Sequence, residues 1–515
     1  MNYVSTRDKS VKVTAAKAIA SGISAEGGLF VPDTFPSLSE KDFEALGKLD
    51  YIGRAKYVLK FFLNDFTEEE VDYCVKGAYT GSFDNEQPAP ISVVGENANI
   101  LELWHGPTCA FKDLALQLLP YLLTTSAKKT AAGKKTVILV ATSGDTGKAA
   151  LEGFKDVPDT EIVVFYPSDG VSPMQKLQMD SQKGNNVHVI AIKGNFDDAQ
   201  TGVKKIFTDN AVKAKLAENN MQFSSANSIN WGRLAPQIVY YVSAYCDMLS
   251  RGEDLKDGFN VVVPTGNFGN ILAAYYAKKM GVPIKKLICA SNSNNVLTDF
   301  INTGVYDRNR KFYTTISPSM DILISSNLER MLFELSACDD KAVAKMQADL
   351  AKDGVFKVTD EIKAKMSELF YGGCCDDAET LATIGDMFKK YGYLCDTHTA
   401  VAVGVYKKYK EETGDERPAV IASTASPYKF ADSVLKAVTD KKTDSEFGNV
   451  RLLSEVTSTE IPAPLLALEN AEVRFKEICE KDKILDAVYA ALEIKKKSLP
   501  CLKGGGPPNG GGGIY

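Results

Sequence analysis

The sequence of 515 residues is long enough for roughly three domains of about 150 residues each, so sizeable buried cores are available to it. A net charge of −6 over this length produces only a weak electrostatic field. Because the sequence also has no cluster of basic and aromatic residues typical of a nucleic-acid groove, we expect no nucleic-acid partner. The start, MNYVSTRDKS, lacks the apolar core of a signal peptide and no run of about 18 apolar residues follows, so we expect a cytoplasmic protein with no membrane partner.

The first 95 residues have a helical texture. Residues 39–49 and 54–63 carry helical patterns, and no alternation of strands and helices accompanies them. We therefore predict an N-terminal helical subdomain over residues 1–95.

From about residue 100, apolar strands alternate with helices, a pattern typical of parallel sheets that are covered by helices on both faces. The predicted strands are 136–141, 161–165, 187–192, 259–264, 285–291 and 418–423. The sequence therefore predicts an α/β region over 96–440 with a less regular insert near 300–395. A helical region over 441–502 follows, and a Gly-rich tail over 503–515 is too poor in apolar residues to pack, so we expect it to be disordered.

Four loops are candidates for chemistry, because ligands of open parallel sheets bind at the carboxyl ends of the strands. They are HGPTCAFKD (105–113), TSGDTG (142–147), TGNFGN (265–270) and ASTASPYKF (422–430). Small residues let the backbone approach a ligand closely, and amides at a helix N-terminus favour an anion. The second and third loops could therefore hold anions, although any strand-to-helix connection also favours small residues.

The sequence does not match the residue spacing of two known nucleotide-binding motifs. A phosphate loop of the nucleoside triphosphatase type needs a glycine and a hydroxyl residue where this chain has Thr142 and Ala149. TGNFGN lacks the G-x-G-x-x-G pattern of a dinucleotide site. The ten cysteines never take the Cys-x-x-Cys spacing of a zinc or redox site, so no metal is predicted.

One cofactor explains a lone lysine, an anion loop and a hydroxyl at a strand end together: pyridoxal 5'-phosphate. It needs an amine for covalent attachment, a cradle for its phosphate and a partner for its pyridine nitrogen. Lys112 lies near a predicted helix start, where the helix dipole and a dry pocket would both disfavour the charged ammonium.

The chain resembles threonine synthases of the long form found in fungi and many bacteria, within the pyridoxal-phosphate enzymes of the tryptophan synthase β-subunit fold (fold type II). The similarity covers nearly the whole sequence and is carried by these motifs: YVSTRD, EGGLFVP, LWHGPTCAFKD, SGDTG, NSINWGRLAPQ, PTGNFGN and STASPYKF. The resemblance implies two three-layer parallel-sheet domains with an N-terminal subdomain.

Site residues follow from the resemblance position by position. It implies that Lys112 is the catalytic residue and carries the cofactor, and that Thr424 faces the pyridine nitrogen. The cofactor phosphate would be held by Gly266, Asn267, Phe268, Gly269 and Asn270. The substrate would be bound by Thr142, Ser143, Asp145, Thr146 and Arg233. Because a guanidinium matches phosphate geometry, Arg233 is the expected clamp for the substrate phosphate, with Lys176 as the alternative.

One position departs from the family pattern, and the three histidines are open to two interpretations. Ser426 stands where the family motif has a histidine, so it either replaces that residue in catalysis or caps the helix that begins near Pro427. His105 and His398 could reach the site or stabilise a turn and a helix start, and we favour the structural role. His188 lies in a predicted strand and is expected to be structural.

The reaction that the resemblance implies is the conversion of O-phospho-L-homoserine and water to L-threonine and phosphate, with Lys112 as general base. The alternatives are a dehydratase or an amino-phosphate phospholyase of the same fold, or, in another class, a nucleotide-binding or cofactor-free binding protein. The sequence leaves the oligomeric state open between monomer and homodimer.

Overall fold

The computed structural model describes residues 1–95, 98–130, 133–142, 144–168 and 171–494. Three predicted features lie outside these ranges: Ser143, the end of the expected C-terminal helical region (495–502), and the Gly-rich tail over 503–515.

Sixteen strands form within the described residues. They are β1 (Tyr3–Ser5), β2 (Lys12–Val13), β3 (Phe30–Pro32), β4 (Ile91–Val94), β5 (Ala98–Glu102), β6 (Lys135–Ala141), β7 (Thr160–Pro167), β8 (Val187–Lys193), β9 (Met221–Ser224), β10 (Phe259–Pro264), β11 (Ile284–Ser291), β12 (Val305–Asp307), β13 (Val355–Lys357), β14 (Phe370–Cys374), β15 (Ala419–Ser423) and β16 (Ile478–Glu480).

Two sheets dominate the fold. A five-stranded sheet has the order β16-β8-β7-β6-β9 and is parallel throughout. A six-stranded sheet has the order β14-β11-β10-β15-β5-β4, and β4 is its antiparallel member. All six predicted strands are present, three in each sheet, because each is a continuous apolar run that can be buried on both faces. The predicted α/β class with two parallel sheets is confirmed.

The helices cover both faces of these sheets. The α-helices are α1 (Ala15–Ser21), α2 (Glu40–Gly47), α3 (Tyr51–Phe62), α4 (Glu68–Tyr79), α5 (Asp113–Leu116), α6 (Leu119–Thr130), α7 (Asp145–Phe154), α8 (Pro173–Asp180), α9 (Phe196–Thr208), α10 (Asn210–Glu218), α11 (Trp231–Ser250), α12 (Gly269–Lys279), α13 (Val296–Thr303), α14 (Leu328–Leu335), α15 (Asp340–Asp353), α16 (Asp360–Leu369), α17 (Asp377–Tyr391), α18 (Thr397–Thr413), α19 (Ala431–Val438), α20 (Glu446–Thr457), α21 (Ala463–Leu466) and α22 (Ile484–Ala491). Short 3₁₀ helices span Pro318–Met320, Pro427–Phe430 and Ala467–Asn470.

The regions at the two ends of the chain contain strands that the sequence patterns did not predict. The N-terminal region holds α1 to α4 and also a small antiparallel sheet of order β2-β1-β3. Near the C-terminus, β16 pairs with β8 and becomes an edge of the five-stranded sheet. Strands of two or three residues are too short to show a hydrophobic period, which explains why these were missed.

No helix among the described residues combines the length and the apolar character needed to cross a bilayer.

Candidate active site

Four loops meet at the carboxyl ends of the parallel strands. β5, β15 and β10 are neighbours in the six-stranded sheet, and the stretches 105–113, 424–430 and 265–270 follow them. The remaining loop, 142–147, follows β6 of the five-stranded sheet, and its Asp145 contacts Lys429 of the loop 424–430. The strand order therefore brings three of the predicted loops together, and the fourth reaches them from the five-stranded sheet.

The segment that carries Lys112 is fixed to the segment that carries Thr424 by main-chain hydrogen bonds. The N–H of Phe111 donates to the Thr424 carbonyl at 2.9 Å, and the N–H of Ser426 donates to the Cys109 carbonyl at 3.0 Å. An isolated antiparallel bridge joins the two segments between these bonds. Since both partners are backbone groups at adjacent strand ends, the positions of Lys112 and Thr424 relative to each other do not depend on side chains.

The Lys112 ammonium lies in a nearly dry environment. Its side chain is 12% exposed, and Nζ lies 3.5 Å from Ser319 Oγ and 3.8 Å from Asp145 Oδ2. Burial lowers the pKa of Lys112 to about 8, with Lys429 and Arg233 acting in the same direction and Asp145 opposing them. The amine is therefore deprotonated at a far lower pH than an ordinary lysine, and a neutral amine is the form that can act as a nucleophile or base.

Asp145 and Lys429 form a buried ion pair beside Lys112. Lys429 Nζ lies 2.8 Å from Asp145 Oδ1 and donates to the Thr108 carbonyl at 2.8 Å. The side-chain amide of Gln175 donates to the same Asp145 oxygen at 3.0 Å. Burial alone would raise the pKa of Asp145, but the ammonium groups of Lys429 and Lys112 hold it well below the usual range, so this carboxyl stays ionised.

The GNFGN loop leads into the N-terminus of α12, an eleven-residue helix. Phe268 precedes the helix with a left-handed φ of 63°, and no side chain of the described residues caps the first turn. A Cβ at Gly266 would lie 2.7 Å from the Ser319 carbonyl oxygen, so this glycine is required by close packing. The uncapped N–H groups and the helix dipole make this end of α12 suited to an anion.

Asn270 supplies a further polar group at this helix end. It is 7% exposed, and its Oδ1 accepts a hydrogen bond from the Tyr241 hydroxyl. Its Nδ2 is buried without a partner among the described residues. A buried amide N–H of this kind costs free energy unless something accepts its hydrogen bond, so the residues here fit a bound phosphate group.

Arg233 lies in the first turn of α11 and is 3% exposed. Its Nη1 donates to the Ala226 carbonyl at 2.6 Å, whereas its Nε has no partner among the described residues. Burial lowers the pKa of Arg233 to about 10, which leaves the guanidinium charged at neutral pH. Because no carboxylate neutralises this buried cation among the hydrogen bonds found in the described residues, the site favours an anionic ligand.

The remaining predicted substrate residues lie around the start of α7. The Thr142 hydroxyl accepts hydrogen bonds from the N–H groups of Gly144 and Gly147, both at 3.0 Å, and so shapes the loop from within. Thr146 is half-buried in the first turn of the helix, and Ser143 lies outside the described residues. Lys176 is exposed on α8.

Comparison with known proteins gives the family of the chain. Family models described as threonine synthase N terminus, pyridoxal-phosphate dependent enzyme, and threonine synthase C-terminal match residues 2–79, 94–357 and 399–491. Threonine synthase from Pseudomonas aeruginosa is 36% identical over 438 residues, which are 85% of this chain and 90% of that protein. The chain belongs to the threonine synthase family.

Two further relatives extend this assignment. Threonine synthase-like 1 from Homo sapiens is 40% identical over 459 residues, 85% of this chain, and the chain spans 61% of that protein's length. The crystal structure of a threonine synthase from Brucella melitensis with bound pyridoxal phosphate superposes with a TM-score of 0.85 at 35% identity, covering 96% of this chain and all of that one. Residues 94–357 of this threonine synthase family member therefore belong to the pyridoxal-phosphate dependent enzyme family, and the fold is that of fold type II.

Ser319, which the sequence did not single out, and His398, for which we favoured a structural role, complete the site of this threonine synthase family member. Ser319 comes from the stretch interpreted as an irregular insert, and its Oγ lies 3.4 Å from Asp145 Oδ2. The N–H of Ser319 donates to His398 Nε2 at 3.1 Å, and His398 Nδ1 lies 2.7 Å from Asp396 Oδ2. Because Nε2 accepts this hydrogen bond, His398 fixes the Ser319 segment next to Lys112.

Arg330 supports the GNFGN loop through Asn327. It is fully buried, and its guanidinium donates to Asn327 Oδ1 and to the Ile229 carbonyl, both at 2.6 Å, and to the Phe30 carbonyl at 3.0 Å. The N–H of Asn327 in turn donates to the Asn267 carbonyl at 3.0 Å. Arg330 therefore ties the N-terminal region and the start of α11 to the GNFGN loop.

Ser426 takes the capping role that was one of its two interpretations. It is buried, and its Oγ accepts a hydrogen bond from the Tyr428 N–H at 3.4 Å at the start of the 3₁₀ helix. Asp113 likewise serves the local backbone, since its carboxylate accepts hydrogen bonds from the Thr108 N–H at 2.8 Å and hydroxyl at 2.7 Å. Burial raises the pKa of Asp113 to about 6.

The other two histidines make structural contacts. His105 lies between two carboxylates, with Nδ1 2.7 Å from Asp84 Oδ1 and Nε2 3.0 Å from Glu102 Oε2. His188 Nε2 lies 3.2 Å from Glu161 Oε2 on the neighbouring strand. Both contacts support the structural role that we favoured from the sequence.

Proposed function

We propose that this protein is a threonine synthase, which converts O-phospho-L-homoserine and water to L-threonine and inorganic phosphate. The observation that carries the proposal is the placement of Lys112. Its buried amine has a pKa of about 8. It lies at the carboxyl ends of neighbouring strands, where the N-terminus of α12 and the Thr424 segment also lie. This combination matches the three groups of pyridoxal phosphate that an enzyme must hold.

The residues that would hold the cofactor come from the three adjacent loops of the six-stranded sheet. Lys112 would provide the covalent attachment, and Thr424 would face the pyridine nitrogen. The phosphate would be bound by the segment Gly266, Asn267, Phe268, Gly269 and Asn270, with the main-chain N–H groups and the buried Asn270 Nδ2 as donors. When bound, the cofactor supplies an electron sink for negative charge that develops on the substrate's α-carbon.

Proton transfer at the substrate is the task of Lys112. Its neutral amine, favoured by the lowered pKa, can accept the α-proton and later return it. Asp145 is unsuited to this task, because two ammonium groups hold it ionised with a pKa far below neutrality. We propose that Asp145 interacts with the ammonium groups of Lys429 and Lys112 rather than with the substrate.

Substrate recognition would involve the buried cation of α11. Arg233 would bind the substrate phosphate through Nε, which has no partner among the residues that the structure describes, and a planar guanidinium offers two parallel donors. Thr142, Ser143 and Thr146 belong to the loop that would line the other side of the substrate. Of these, the Thr142 hydroxyl maintains the loop conformation, so its contribution would come through the shape of the loop.

The products of a single reaction separate this proposal from its alternatives. With O-phospho-L-homoserine, the purified enzyme should release phosphate and threonine in equal amounts. A ketoacid and ammonia would instead identify a dehydratase or a phospholyase. A protein that stays colourless when pyridoxal phosphate is added would favour a cofactor-free binding protein. Lys155→Ala, which removes a lysine of the surface around α7, serves as the control for Lys112→Ala in the same assay.

A further inference from the structure

The Asp145 carboxylate is shared unequally by two lysines. Its Oδ1 lies 2.8 Å from Lys429 Nζ and accepts from the Gln175 amide at 3.0 Å. Its Oδ2 lies 3.8 Å from Lys112 Nζ and 3.4 Å from Ser319 Oγ. The distance to Lys429 is that of a charge-assisted hydrogen bond, whereas the distance to Lys112 is too long for one.

Lys429 is held where it can compete for this carboxylate. Its side chain is completely buried, and its Nζ also donates to the Thr108 carbonyl at 2.8 Å. Its backbone belongs to the short helix that directly follows β15, next to the main-chain pairing of the Lys112 and Thr424 segments. The ammonium is therefore fixed by the six-stranded sheet, while Asp145 approaches it from the five-stranded sheet.

A direct ion pair with a carboxylate would keep Lys112 charged and occupy its nitrogen. We propose that Lys429 is a positioning residue that holds the Asp145 carboxylate away from Lys112, so that the Lys112 amine stays free to react. This inference rests on the proposed function, because it assigns a purpose to keeping Lys112 available. It also explains why an acid and a second lysine are buried beside a reactive amine, where each alone would carry an uncompensated charge.

The charges that face Lys112 determine the direction in which each substitution should shift the pKa of Lys112. Lys429 and Arg233 disfavour the ammonium, Asp145 and Asp113 favour it, and the Asp113 carboxylate is engaged by Thr108. Replacing Lys429 removes a repelling charge and also releases Asp145 toward Lys112, and both changes raise the pKa of Lys112. Replacing Asp145 removes an attracting charge and lowers it.

Trace acetylation of the cofactor-free full-length protein with acetic anhydride measures this pKa directly. The labelling rate of the Lys112 peptide would be followed by mass spectrometry between pH 6 and 11. In Lys429→Gln we expect the pKa of Lys112 to rise by about one unit or more, equivalent to roughly tenfold slower labelling at neutral pH. In Asp145→Asn we expect it to fall. Lys148→Gln, a buried lysine on the same helix as Asp145 that pairs with Glu152 instead, should leave the labelling profile nearly unchanged.

The double variant separates positioning from simple charge repulsion. The rise caused by Lys429→Gln should be smaller when Asp145 is already Asn, because no carboxylate remains to be released. An equal rise in both backgrounds, or no rise in the single variant, overturns the proposal. Circular dichroism checks folding, and Lys429→Met replaces Lys429→Gln with the same expectation if the latter does not fold.

This test is independent of the proposed reaction, since it uses neither cofactor nor substrate. If the pKa shifts occur but the enzyme makes no threonine, the function fails and the positioning role stands. If threonine is made but the shifts are absent, the function stands and the positioning role fails.

Discussion

The two sides of the site are held by different kinds of contact. On the six-stranded sheet, the segments of Lys112 and Thr424 are joined by backbone hydrogen bonds, and the GNFGN loop packs so closely that a Cβ at Gly266 would meet the Ser319 carbonyl oxygen at 2.7 Å. On the five-stranded sheet, the start of α7 meets this framework through the side chain of Asp145, which contacts Lys429, Ser319 and Lys112.

This difference separates two tasks within one site. Groups that must keep a fixed geometry to hold a cofactor are placed by adjacent strands of one sheet, where the register leaves little freedom. The loop on the other side is tied by charges and hydrogen bonds of single side chains, so one substitution can loosen it. We expect changes on the first side to affect cofactor binding, and changes on the second side to alter the chemistry around a cofactor that is still bound.

The largest effect is expected for Lys112→Ala. This change removes both the proposed attachment point and the proposed base, so kcat should fall by at least about 1,000-fold. Because the segment is anchored by its backbone, the free energy of unfolding should change little. Steady-state assays and thermal unfolding test both statements, and Lys155→Ala should keep the parent activity. A Lys112→Ala enzyme that retains a tenth or more of the parent kcat would contradict the assignment.

Substitutions of two glycines in the GNFGN loop test two different requirements on the side of the six-stranded sheet. Gly266 tests close packing of the protein, and Gly269 tests close approach of the cofactor phosphate. Gly266→Ala places a Cβ against the Ser319 carbonyl oxygen, so the free energy of unfolding of the cofactor-free protein should fall by about 1–3 kcal/mol. In Gly269→Ala the nearest atom to the Cβ, Asn327 Nδ2, is 3.4 Å away, an ordinary contact. This variant should keep its stability yet bind pyridoxal phosphate about tenfold more weakly, since the phosphate must approach the backbone there.

Chemical unfolding and cofactor titration measure these two quantities separately. A Gly266→Ala protein as stable as the parent would contradict the packing role of Gly266, and unchanged cofactor affinity of Gly269→Ala would contradict phosphate binding at this loop.

A moderate effect is expected for Arg233→Lys. The charge remains but the forked donor is lost, so kcat/KM for O-phospho-L-homoserine should fall about tenfold. The visible spectrum of the bound cofactor should not change. Lys176→Ala, which removes an exposed lysine of α8, is the control. If Lys176→Ala lowers kcat/KM and Arg233→Lys does not, the phosphate clamp has been assigned to the wrong residue.

The smallest effect is expected for Ser426→Ala. The Ser426 hydroxyl accepts a long hydrogen bond of 3.4 Å from the Tyr428 N–H, so its loss should cost about 0.5 kcal/mol of unfolding free energy or less. Because Ser426 is assigned to capping and not to chemistry, kcat should stay within roughly twofold of the parent. A loss of kcat well beyond that range would assign a catalytic role to this serine.

Much of the framework was predictable from the sequence because it rests on local patterns. The six predicted strands are continuous apolar runs, and the loops that follow them carry the small residues that strand-to-helix turns require. The placement of Lys112 at the N-cap of α5 agrees with the predicted helix start. These features depend on residues that are close together in the chain.

The side-chain network was not predictable, because its members meet only through the fold. Ser319 lies 207 positions after Lys112, in a stretch without a clear period. Lys429 was part of a recognised motif, yet nothing in the sequence indicates that its ammonium meets Asp145 from the other sheet. His398 was interpreted as a helix-start residue, and its contact with the Ser319 N–H depends on how α18 packs behind that segment.

Borohydride reduction of the loaded enzyme, followed by peptide mapping, tests the central claim most directly, namely that Lys112 is the residue to which pyridoxal phosphate attaches. Reduction makes the attachment permanent, so the modified lysine can be located by mass spectrometry. We predict that the modification appears on Lys112 in the FKD stretch and is lost from that peptide in Lys112→Ala. Modification of Lys429, Lys176 or any other lysine in place of Lys112 would contradict the account.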